Sequence, residues 1–118
     1  MKPSQKNSFL TCILEKLEPY GPIRVQAMFG GYALYKDTLQ FASVYRDILY
    51  FRVNEETIDD YKAYNAARFI FTGGGKVIPL PYFSLPEEVL TDPKKLKIWI
   101  ERACEATIRA KLKKNHKK

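Results

Sequence analysis

The sequence predicts an α+β domain: a mainly antiparallel sheet bracketed by N-terminal, middle and C-terminal helices. Three observations lead there. Helical spacing of apolar residues marks both ends of the chain. Short β-rich runs follow one another from Arg24 to Val53 with turn residues between them, the pattern of an antiparallel meander. A helical stretch and one more hairpin then separate this meander from the last helix. At 118 residues, 46% of them hydrophobic, the chain suits one domain with a real core.

The elements follow in order. Phe9, Leu10, Ile13, Leu14 and Leu17 fall on one helical face over residues 8–17. Ser4, Asn7 and Ser8 are the alternative caps for this helix. Pro19, Gly21 and Pro22 end it. Strands are predicted over Arg24–Phe29, Tyr32–Lys36, Leu39–Tyr45 and Ile48–Val53. Gly30-Gly31, Asp37-Thr38 and Arg46-Asp47 break them, the last pair without the favoured glycine. Alternation puts Leu39, Phe41 and Tyr45 on one face. Asn54 reads as an N-cap with Glu55 and Glu56 in a dipole-favoured first turn, and the helix is expected to reach about Tyr64. Arg68–Thr72 and Val77–Phe83 form a hairpin around Gly73–Lys76. Ser84 to Glu87 fits a capping box, and Asp92-Pro93 opens the last helix, with Leu96, Trp99, Ile100, Ala103 and Ala110 along one side. Residues 1–112 are expected to form the single domain and 113–118 a basic tail.

Charge is uneven. The net charge is +7, yet six basic residues and no acid lie between Arg109 and the C-terminus, leaving 14 basic and 13 acidic residues in the body. A nucleic-acid reading therefore rests on Arg109, Lys111, Lys113, Lys114, Lys117 and Lys118. The preferred reading of the same run is a solvated tail. No stretch is apolar enough for a membrane span or a signal peptide, so the expected compartment is the cytoplasm.

Little in the chain suggests catalysis. FTGGGK, residues 71–76, invites comparison with a phosphate loop, but position 70 is Ile70 where that loop needs glycine. Val77 stands where it needs a hydroxyl, and Pro79 and Pro81 forbid the helix that should follow. The glycines are read as a hairpin turn. The single histidine, His116, sits among lysines. Cys12 and Cys104 lie among apolar residues and are read as small core residues rather than nucleophiles. No metal site, cofactor or catalytic residue is expected. The Val77–Leu85 segment is the candidate partner contact, with Lys76, Tyr82 and Phe83 as its residues. The alternative is that these rings pack on Trp99 and the last helix. Homodimerisation through a sheet edge or a helix face is open.

Met28-Phe29-Gly30-Gly31-Tyr32-Ala33-Leu34-Tyr35, then Leu49 to Val53, Phe71 to Lys76, Pro81-Tyr82-Phe83, Leu85 to Leu90, Asp92-Pro93 and Trp99 together resemble the TfoX N-terminal domain family of bacterial competence regulators. The resemblance covers about residues 8–112. It implies an α+β fold akin to secretion-chaperone-like domains and a regulatory role. In full-length competence regulators this domain precedes a C-terminal domain, and the protein promotes expression of DNA-uptake genes. This sequence carries the first domain alone, so functions that need the second are not expected of it. The expected function is a non-enzymatic regulatory or adaptor domain acting through protein contacts. The alternative is a nucleic-acid-binding accessory that uses the basic tail.

Overall fold

The computed structural model describes residues 8–28 and 30–116, with side chains as far as residue 113. In chain order the elements are α1 (Ser8–Leu17), a 3-10 turn (Glu18–Tyr20), β1 (Arg24–Met28), β2 (Gly31–Lys36), β3 (Leu39–Tyr45) and β4 (Ile48–Arg52). Then come α2 (Ile58–Lys62), β5 (Arg68–Gly73), β6 (Lys76–Ser84), α3 (Glu87–Leu90) and α4 (Pro93–His116). The class is α+β, as the sequence predicts. All six strands join one sheet in the order β1-β2-β3-β4-β6-β5, and every pairing is antiparallel. The late hairpin is thus not separate from the meander. Tyr50, Phe51 and Arg52 of β4 pair with Ser84, Phe83 and Tyr82 of β6.

The helices and one face of the sheet share a single core. Leu10, Ile13 and Leu17 of α1, Val89 of α3, and Leu96, Trp99, Ile100 and Ala103 of α4 meet Ala42, Leu49, Phe51 and Phe83 from the strands. One correction concerns β3. Its register against β2 shifts between Leu34 and Tyr35, which leaves Phe41 as the extra residue of a bulge. Phe41 and Ala42 are therefore both buried in the core, and Phe41 meets Phe51 edge-on at 5.5 Å. Tyr45, expected on the same face as Phe41, lies on the opposite face and packs against Phe69. The bulge is also pinned from the helix side, where the Thr107 hydroxyl donates to the Gln40 carbonyl at 2.8 Å.

That opposite face has no helix over it. The sheet curls instead, and Phe69 of the edge strand β5 reaches back to stack on Tyr50 at 4.5 Å. This cover explains why Ser43 and Tyr50 are buried on a face without helices.

The turns follow their backbone chemistry. Gly74 and Gly75 both have positive φ, 59° and 77°, between the paired Gly73 and Lys76. A two-residue hairpin loop of the primed type needs this, and glycine supplies it freely. Arg46 and Asp47 adopt the same left-handed geometry, φ 51° and 62°, without that freedom. Asn54 caps as expected: its Oδ1 accepts the N–H groups of Glu56 and Thr57 at 2.9 and 3.0 Å. The helix behind it is shorter than expected, because residues 55–57 form a turn before Ile58. Asp92 Oδ1 likewise accepts the N–H of Lys94 at 3.1 Å at the start of α4. The capping box at Ser84 is not formed. Ser84 belongs to β6, and its hydroxyl accepts the Ala67 N–H at 2.9 Å, closing the end of the sheet.

Candidate functional site

The partner contact expected at Tyr82 and Phe83 needs correction in two of its three residues. Tyr82 is 7% exposed and Phe83 4%. Pairing with β4 draws both into the sheet. Phe83 faces the core beside Tyr61, which in turn packs on Trp99 at 4.5 Å. Tyr82 takes the other face, beneath the Arg52 guanidinium 5.6 Å from its ring centre. Burial pushes the phenols of Tyr61 and Tyr82 up from their ordinary value, so both stay neutral at physiological pH. Lys76 is exposed at the hairpin tip.

The apolar surface of this hairpin lies further out. β4 pairs with β6 only over Tyr82–Ser84, so the hairpin from about Ile70 to Leu80 overhangs the sheet as a two-stranded arm. On it Ile70 is 50% exposed, Val77 67% and Ile78 43%. Pro79 removes a backbone donor from its free edge, while the Pro81 carbonyl accepts the Val53 N–H at 2.9 Å where the overhang begins. The hairpin of Arg68–Thr72 and Val77–Phe83 was visible in the sequence. That its second strand outruns β4 was not, because only the long-range pairing shows it.

The basic cluster divides. Arg109 is held by Glu56 at 2.7 Å and by Glu105 at 3.1 Å. The hydrogen-bonding Glu56 carboxylate raises its pKa further. Arg109 is therefore already paired with two carboxylates, through exposed contacts. Lys111 and Lys113 are exposed on α4 and make no ion pair among the described residues. α4 continues to His116, beyond the point where a tail was expected to begin. The side chain of Lys114 and all of Lys117 and Lys118 lie outside the described residues, as does Phe29 of the MFGGY motif.

Both cysteines are free thiols. Cys12 is exposed on α1, contrary to its expected place in the core; it falls on the outer side of a helix whose buried side chains are Leu10, Ile13 and Leu17. Cys104 is half-buried against the core, and burial raises its thiol pKa, which disfavours the thiolate. Among the described residues no group of three His, Cys, Asp or Glu side chains is placed to hold a metal ion. No described helix is long and apolar enough to cross a membrane.

The residue that sequence reasoning passed over is Arg52. It stands in a row of side chains that crosses the helix-free face. Arg24 pairs with Tyr35, Tyr35 with Gln40, and Arg52 with Tyr82. The Arg24 guanidinium lies 4.1 Å from the centre of the Tyr35 ring. Gln40 Nε2 donates to Ser43 Oγ at 3.2 Å. Among the described residues Arg52 has no ion pair, and its Nε is buried without a hydrogen-bond partner. An unpaired buried donor on a charged group is costly and rare. Only a three-dimensional row could reveal it, because its members come from five strands.

A curled antiparallel sheet with helices on one face defines a small α+β domain. The chain belongs to the TfoX N-terminal domain family, whose sequence profile matches residues 15–107. That family is of regulatory type and is not a known enzyme family. No curated protein matches the chain.

Proposed function

We propose that this competence-regulator-like domain is a non-catalytic regulatory or adaptor module that acts through protein contacts, with the β5–β6 arm as its contact element. The observation that carries this reading is the exposure of Ile70, Val77 and Ile78 on a strand pair that overhangs its own core. Covering one such side chain completely is worth roughly 1.5–3 kcal/mol. Ile70 and Val77 lie on one face of the arm and Ile78 on the other, so the partner clasps the arm from both sides. Lys76 at the tip supplies a polar rim contact. The proposed setting is the cytoplasm.

Capture of bound proteins from the native cell tests it, run with wild type and with Ile78→Glu, and with nuclease treatment in both. A partner retained by wild type after nuclease and lost with Ile78→Glu supports the reading. Equal retention by both proteins refutes it. A second copy of the chain is one candidate occupant of the arm. Light scattering at about tens of micromolar decides that: a monomer removes the homodimer.

Lys111 and Lys113 favour a second reading, because they project from α4 without acidic partners. With Lys114, Lys117 and Lys118 they would bind nucleic-acid phosphate without base preference. Such binding to duplex DNA weakens steeply between roughly 50 and 200 mM salt, with a log–log slope of about −0.9 per phosphate contacted. Binding indifferent to salt, or to reversal of Lys113, Lys117 and Lys118 to glutamate, rules this reading out.

A further inference from the structure

Two cavities meet at Arg52, and the proposed function uses neither. The first, about 500 Å³, opens between the end of the sheet and the last turns of α4. Arg52 and Lys111 line it together with the polar side chains of Tyr35, Thr38 and Gln40, and no carboxylate does. The second, about 250 Å³, lies on the helix-free face and shares Arg52 and Gln40 with the first. Its wall is aromatic, with Tyr45, Phe69, Phe71 and Tyr82. The two volumes together suit the roughly 300–1,000 Å³ of small-ligand sites.

The chemistry of the two halves differs. Two cations without an acid ask for a doubly charged anion, and a phosphate monoester carries nearly two negative charges at neutral pH. A guanidinium offers a planar fork that matches phosphate oxygens. The Nε of Arg52 is buried and without a hydrogen-bond partner among the described residues, so a ligand in the cavities meets the rest of the guanidinium. The aromatic half asks for a flat ring, which stacks on such side chains at roughly 1–3 kcal/mol per base. A third cavity also touches Arg52, but there Glu55 and Glu56 share the lining with Arg109 and Lys113, and Glu56 already holds Arg109.

We propose that these joined cavities bind a planar heterocycle carrying a phosphate: a nucleoside monophosphate, or the unpaired terminal nucleotide of a single strand. The phosphate sits between Arg52 and Lys111, and the ring lies against Tyr45, Phe69 and Tyr82. The site borders the β5–β6 arm through Phe71 and Leu80, and of the basic C-terminal run it uses Lys111.

The test is a titration of isotope-labelled full chain followed by amide chemical shifts, with 5′-AMP, adenosine, inorganic phosphate and a thymidine octamer as probes. Saturable shifts at Tyr35, Arg52 and Phe69 are expected with 5′-AMP, the octamer or both, and which of the two binds identifies the source of the ligand. Adenosine and inorganic phosphate, each offering half of the ligand, should bind at least tenfold more weakly than 5′-AMP wherever 5′-AMP binds. Arg52→Gln should weaken binding at least tenfold. Lys97→Glu, a larger charge change on an exposed part of α4, should leave it unchanged. If Arg52→Gln fails to fold, Lys111→Gln is read in its place with the same expectation. The proposal is overturned if neither 5′-AMP nor the octamer saturates. It is equally overturned if binding survives loss of Arg52 or Lys111, or if Lys97→Glu weakens it as much.

Discussion

Replacing Gly31 with alanine separates two reasons for a glycine, lack of space and backbone geometry. A Cβ at Gly31 would sit 2.3 Å from the Val44 carbonyl oxygen and 3.1 Å from the Tyr45 ring. The nearer neighbour is backbone of β3, so relief needs β2 and β3 to part by about 1 Å. Overpacking of this kind costs roughly 1–3 kcal/mol. Loosening a neighbouring strand hydrogen bond adds about 1 kcal/mol. A loss of about 3 kcal/mol is therefore expected from a total stability of roughly 5–15 kcal/mol. At about 4 °C per kcal/mol, Tm falls by roughly 10 °C. Gly75→Ala is the internal comparison. Nothing stands within 4 Å of its Cβ, so only its φ of 77° is at stake. That costs about 1–2 kcal/mol. Urea denaturation followed by circular dichroism reads both. If Gly31→Ala is no more destabilising than Gly75→Ala, the close strand approach at the MFGGY motif is wrong.

Three further outcomes follow from the same geometry. Arg46→Asn with Asp47→Gly relieves two left-handed residues in the β3–β4 turn and should raise stability by about 1–2 kcal/mol, read as a higher urea midpoint at unchanged slope. Asn54→Ala removes the acceptor of the Glu56 and Thr57 N–H groups and should cost about 1 kcal/mol by the same measurement. Burial raises the Tyr61 phenol above its ordinary value of 10.0, so the unfolded chain ionises first. The resulting stability is complete below about pH 10 and falls as pH rises through the folded value. Tyr61→Phe should flatten that alkaline decline in urea midpoints taken between about pH 8 and 11.

What the sequence made legible was local. The periodicity of α1, the meander turns, the glycine hairpin and the caps at Asn54 and Asp92 all depend on neighbours within a few residues, and all are present. The misplaced residues depended on distant partners. Phe41 and Tyr45 part company because a bulge against β2 inserts a residue into an otherwise regular alternation. Tyr82 and Phe83 are buried because β6 pairs with β4, some thirty residues earlier in the chain. Arg109 is paired with Glu56, 53 residues away. Arg52 looked like one more half-exposed strand residue until the sheet set it beside Tyr82 and two cavities. The exposed arm was legible in part: the sequence marked Val77–Leu85 as the contact segment, while the end of β4, which leaves Ile70, Val77 and Ile78 uncovered, depended on long-range pairing.

The central claim is that the β5–β6 arm meets a protein partner, and site-specific photo-crosslinking in the native cell tests it most directly. A photoreactive residue placed at Val77 should give a discrete protein adduct that survives nuclease treatment and disappears when Ile78→Glu is added. The same residue placed at Lys97 should give none. An adduct pattern at Val77 indistinguishable from that at Lys97 would contradict the claim.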